Sequence, residues 1–263
     1  MTLYRHELKM NRVSFLIWLV GVMAMSAGCI FLFPMIDDSM ADMSEAFASM
    51  GGFSKAFGMD KLAITTLEGF FGTEIGTIFA LGGGMYAALL GITSLSKEES
   101  SHTAEFLHTL TLGRCGIVTG KLLSILTFIA LFDVIAFGVF AGSAAIIGES
   151  LSMKCLVGYI LAQFAAQTEL ASVCLALSAY SRRSSLGVGL GIALVLYVLD
   201  IVARITEKAE FLKYITPFSF SNATDVFVNK GSVEAVPLCI GICVTVISIL
   251  AAYVIYRKRD IAA

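Results

Sequence analysis

The chain has 263 residues, 57% hydrophobic and only 14% charged, whereas a soluble domain carries about 25% charged residues. Mean hydropathy is +0.86, and several runs of about 20 residues are long enough to cross a ~30 Å hydrocarbon core as helices. A soluble domain is thereby excluded, and a net charge of −2 leaves no basic surplus for nucleic acid.

The reading is an all-α membrane protein: one transmembrane domain over 1–263 with six transmembrane helices. Residues 1–12 form an amphipathic interfacial helix, with Leu3, Leu8 and Met10 toward lipid and Arg5, Lys9 and Arg12 toward headgroups. The alternative is a short basic anchor that only orients the first span. The first apolar run is too long for the h-region of a cleavable signal. Spans are expected at 13–33, 72–95, 117–146, 155–180, 186–203 and 236–256. Between the first two, 34–71 reads as an acidic external loop containing Asp37, Asp38, Asp42, Glu45, Asp60 and Glu68.

Basic residues set the orientation. One side gathers Arg5, Lys9 and Arg12, then Lys97, Arg114 and Lys121, then Arg182 and Arg183, then Arg257, Lys258 and Arg259, all close to span ends. The other side spreads fewer over longer loops. The first side is therefore cytoplasmic, together with both termini.

Between spans two and three lies KEESSHTAEFLHTLTLGR, residues 97–114, a charged and helix-prone stretch between apolar runs. A prenyl-protease motif needs Arg where Thr103 stands. HExxH fails at His6-Glu7, because Met10 stands where the second His belongs. His102 and His108 lie about 240° apart around a helix, so they do not chelate one ion. Gly120-Lys121 looks like part of a P-loop, but Cys115 and Leu122 stand where Gly and Ser or Thr are required. No catalytic residue, no metal site and no cofactor bound by this chain is expected.

Acids and amides inside spans are costly and therefore candidates for a pathway or gate. They are Glu74, Asp133, Gln163, Gln167 and Glu169, with Asp200 near an outer end. Tyr159, Gln163 and Gln167 recur every four residues and share a helix face. Interhelical hydrogen bonding is the competing role for the same groups. GxxxG pairs at Gly138/Gly142 and Gly187/Gly191 suggest close helix approach, and the run Gly82-Gly83-Gly84 either loosens span two or lets a neighbour approach closely. The six cysteines contain no CxxC pair and read as small apolar residues. In the external segment 204–235, aromatics and Pro217 suggest a stretch lying at or dipping into the interface, and Asn222-Ala-Thr224 matches a glycosylation sequon weakly.

The segment 97–114 resembles the signature region of type-2 ABC exporter permeases. Glu99, Thr103, Glu105, Leu107, Leu110, Arg114, Gly120, Lys121, Leu122 and Leu123 stand at matching places, while His102 and Thr111 replace the usual Gly and Pro. ELKMNRVSFLIW, LKYITPFSF and YRKRDIAA resemble the amino-terminal helix, the segment before span six and the basic tail of the same family.

The resemblance implies a coupling helix that docks on a separate ABC ATPase. Phe106, Leu107 and Leu110 would fill its groove, and Glu98, Glu99, Thr103, Glu105 and Arg114 would set the register. ATP and Mg would reside in that partner subunit. A second permease copy or paralogue would pack along spans one and five, among membrane lipids, in a bacterial cytoplasmic membrane. An antimicrobial peptide, drug or lipid-like molecule is the expected substrate class. The alternative is an ion-coupled secondary transporter using Asp133 and Glu169.

Overall fold

A computed structural model of the chain describes residues 2–49, 51–59, 61–97, 113–181 and 185–258. In chain order the helices are α1 (Thr2–Ser49), α2 (Gly52–Phe57), α3 (Leu67–Phe70), α4 (Gly76–Ser94), α5 (Arg114–Ile147), α6 (Met153–Tyr180), α7 (Leu186–Ile205), α8 (Pro217–Phe220), α9 (Ala223–Val228) and α10 (Ala235–Lys258). A π-helical turn, Phe71–Ile75, joins α3 to α4, and a 3-10 stretch, Glu207–Tyr214, follows α7. Among the described residues, six helical segments are long and apolar enough to span a membrane: Leu3–Met35, Leu67–Ser94, Arg114–Ile147, Met153–Tyr180, Leu186–Ile205 and Ala235–Lys258. Each falls on an expected span.

The second and fourth spans form the centre. In their most apolar stretches 67% and 61% of residues are buried, against 17% and 11% in the fifth and sixth. The fourth span packs most extensively on the second and sixth, and the third packs on the first and fourth. Leu, Val and Ile side chains of the fifth and sixth spans, among them Val195, Val198, Ile247 and Leu250, remain exposed. The core between spans two, three and four is aromatic. Phe132 stacks on Phe79 and Tyr86, with 5.6 Å between ring centroids in both pairs. Phe71 meets Phe140 and Tyr159 edge-on at 5.1 and 5.6 Å. Such offset and edge-to-face contacts suit the ring quadrupoles.

α1 is one helix of 48 residues, about 72 Å long at 1.5 Å per residue. The expected interfacial helix is its first three turns, which enter the span without a break. Leu3, assigned to the lipid side, is instead buried, with its side chain against Gly120 of α5. At the other end the helix runs through Pro34 to Ser49, where an external loop was expected. Pro34 ends the apolar stretch, but Met, Ala and Glu follow it, all good helix formers.

The external segment 204–235 folds back onto the bundle. Phe218, Phe220, Val226 and Phe227 are buried, and Phe227 packs on Phe71 at 5.3 Å. Thr216 and Asn222 cap α8 and α9 by accepting from the backbone N–H of Phe218 and Asp225. The sequon asparagine is thus a cap, and Thr224 is fully buried. At the exposed rim Lys213 donates to Glu210 at 2.7 Å, holding that carboxyl below its ordinary range.

The GxxxG pairs do not mark packing among the described residues: there, a methyl group on Gly138, Gly142, Gly187 or Gly191 would meet nothing within 4 Å. Close approaches lie instead along Gly82-Gly83-Gly84, where a Cβ would come within 2.6 Å of Val22, 2.7 Å of Gln167 and 2.9 Å of Phe218, and at Gly91, where it would come within 2.3 Å of the Ala171 carbonyl oxygen on α6. Gly91→Val forces spans two and four apart and should cost about 1–3 kcal/mol. Gly138→Ala should leave the monomer unchanged. Thermal unfolding of the purified monomeric chain separates the two outcomes.

Candidate functional site

Residues 98–112 lie outside the described residues, and with them Glu98, Glu99, Thr103, Glu105, Phe106, Leu107 and Leu110. The structure does describe what holds the two ends of that segment. At its start, the N–H groups of Leu95 and Ser96 donate to Ser178 Oγ on α6 at 2.9 and 3.0 Å. At its end Arg114 opens α5 and donates to the Arg257 carbonyl on α10 at 2.8 Å. Five residues on, the Thr119 hydroxyl meets Tyr253 Oη at 2.7 Å. Spans two, three, four and six are therefore tied together where the segment emerges.

Lys121 makes a contact that the sequence did not reveal. Its ammonium donates to Glu7 Oε1 at 2.9 Å, and the two side chains are 1% and 7% exposed. Asn11 adds a longer bond to Glu7 Oε2 at 3.4 Å. The lysine that a P-loop would aim at phosphate is thus committed to the amino-terminal helix.

The in-span candidates divide between two faces of α6. Gln167 Nε2 donates to Asp133 Oδ1 at 3.0 Å, joining spans three and four. Gln163 Nε2 donates to the Ser221 carbonyl at 2.8 Å, and Tyr159 Oη to the Gly76 carbonyl at 2.8 Å. The expected shared face therefore exists, and it binds span three, the external segment 204–235 and the first residue of α4 in span two. Glu169 stands two residues beyond Gln167, about 200° around the helix. Its Oε2 lies against Gly241 of α10 and finds no partner among the described residues. Asp133 and Glu169 are both buried but do not meet on one face. Glu74 is exposed on the π turn.

Asp133 Oδ2 and Gln167 Oε1 also lack partners among the described residues. An amide at position 133 could accept from Gln167 and donate to its carbonyl. Asp133→Asn removes a carboxylate from an apolar core and should leave the unfolding temperature equal or higher. A drop in that temperature would show that the charge itself is used for packing.

At the outer end Arg204 bridges Asp200 at 2.9 Å and Asp225 of α9 at 3.7 Å, while Lys61 binds Asp225 at 2.6 Å. Beside them lies a cavity of about 20 Å³ bordered by Thr77, Tyr197, Asp200, Arg204 and Asn222, enough for one water. Only Asp200 of this cluster stood out in the sequence. Lys61 and Asp225 were not candidates; the signal available for them was opposite charge on two external segments.

A family model described as ABC-2 family transporter protein matches residues 1–261. Comparison with curated proteins gives no match.

Proposed function

The chain belongs to the ABC-2 transporter family and is a multi-pass membrane permease subunit of an ABC transporter, and from that premise we propose that it serves an exporter whose ATP hydrolysis takes place in a separate subunit. Segment 97–114 is the docking element. Phe106, Leu107 and Leu110 enter a groove of the ATPase, and Glu98, Glu99, Thr103, Glu105 and Arg114 align it. ATP and Mg belong to that partner, and this chain is not catalytic. A second permease completes the path, and the open faces of Gly187 and Gly191 on the fifth span suit a close neighbour. Both termini face the cytoplasm of a bacterial cell, and an antimicrobial peptide, drug or lipid-like molecule is moved outward.

The observation that carries this reading is the family match over residues 1–261. The ties at Ser178, Arg114 and Lys121 support it, because they would pass a push on segment 97–114 into five spans: one, two, three, four and six. The carrier reading gains less from the geometry: Asp133, on α5, is bonded to Gln167 on one face of α6, Glu169 projects from the other face, and a shared ion path needs the two acids together. Glu105→Lys with Leu107→Asp should abolish co-purification of the ATPase while leaving the permease folded in detergent. Unchanged co-purification would remove the docking role.

A further inference from the structure

We infer that the Glu7–Lys121 pair is the joint that makes the amino-terminal helix and the third span move as one body. The inference rests on the proposed ATP-driven role, because the motion comes from the docking segment just ahead of α5. Three contacts place the first turns of α1 on α5. Leu3 sits on Gly120, Tyr4 Oη and Thr127 Oγ1 are 3.0 Å apart, and Lys121 Nζ lies 2.9 Å from Glu7 Oε1. On α1, residues 3, 4, 7 and 11 share one helix face, leaving Arg5, Lys9 and Arg12 exposed on the other.

Apolar contacts between helices hold them together but tolerate sliding. A short charge-assisted hydrogen bond between buried groups fixes register. A buried ion pair is also poor evidence of stability for its own sake, since apolar residues of the same volume do as well. Its presence here, seven residues into the span that follows the docking segment, fits a positioning role. Glu7 and Lys121 would hold the amino-terminal helix to the moving span, so that its basic face travels with span three.

The test uses the permease with its ATPase in nanodiscs, with Cys29, Cys115, Cys239 and Cys243 replaced by alanine. Spin labels are placed in pairs at exposed Lys9 and Val134, and at Lys9 and Val246 on the sixth span. Distances are read without nucleotide and after trapping with ATP and vanadate. The expected wild-type result is a narrow Lys9–Val134 distribution, the same in both states, with a shift at Lys9–Val246. Glu7→Gln, which keeps shape but loses charge, should broaden Lys9–Val134 on trapping. The separate exchange variant, Glu7→Lys with Lys121→Glu, should keep the distribution narrow.

A wild-type Lys9–Val134 distance that changes on trapping overturns the inference. So does a Glu7→Gln distribution as narrow as wild type in both states, or an exchange variant that broadens. No shift at Lys9–Val246 while ATP is hydrolysed removes the driven motion itself, and the inference with it. A loss of ATPase from the preparation instead points to the docking reading.

Discussion

Lys121→Met lowers the stability of the permease by about 3–5 kcal/mol, the range for stranding one member of a buried ion pair. The variant leaves Glu7 in a site where its side chain is 7% exposed. Methionine reproduces the lysine side chain out to Cε and lacks only the ammonium, so the change is chiefly one of charge. The double variant Glu7→Leu with Lys121→Met removes both charges and should recover most of the loss, because no carboxylate is then left buried alone. Unfolding temperatures in detergent, compared around this cycle, measure the coupling between the two sites. A single variant as stable as wild type would mean that Glu7 finds water or another partner without Lys121.

Phe71→Ala is the second large effect, at about 3–5 kcal/mol. Phe71 is fully buried at the π turn and touches Phe140, Tyr159 and Phe227. These rings belong to the third span, the fourth span and the external hairpin. Removing the ring opens a cavity where three elements meet, and they cannot all close on it. The hairpin should loosen first, since α9 is short. Proteolysis within 229–234 should therefore speed up in the variant before the spans unfold. Equal cleavage rates would show that Phe227 is held by other contacts.

Much of the architecture was legible in the sequence. Runs of about 20 apolar residues have few structural alternatives in a bilayer, and all six appeared where expected. The face shared by Tyr159, Gln163 and Gln167 follows from helical periodicity alone. Their partners do not: Asp133, Ser221 and Gly76 are distant in sequence, and no local pattern encodes which polar groups will meet.

Lys121 was misleading for a related reason. As one of several basic residues near a cytoplasmic span end, it counted toward orientation, while Glu7 lay in a helix assigned to the interface. The available hint was a lysine followed by an unbroken apolar run, with one acid on the basic amino-terminal helix. GxxxG failed as a guide because the motif reports that close approach is allowed, not that a neighbour is present. The continuation of α1 beyond Pro34 shows a helix outlasting its apolar stretch through favourable helix propensity.

The most direct test of the central claim is transport and ATP hydrolysis in vesicles that hold the permease and its ATPase. A panel of peptides, hydrophobic drugs and lipids serves as probes, with and without ATP and with and without a proton gradient. The account predicts that at least one probe raises the ATPase rate and leaves the cytoplasmic-equivalent side only when ATP is present. It also predicts that Asp133→Asn retains this activity. Movement driven by the proton gradient without ATP, and lost in Asp133→Asn, would contradict it.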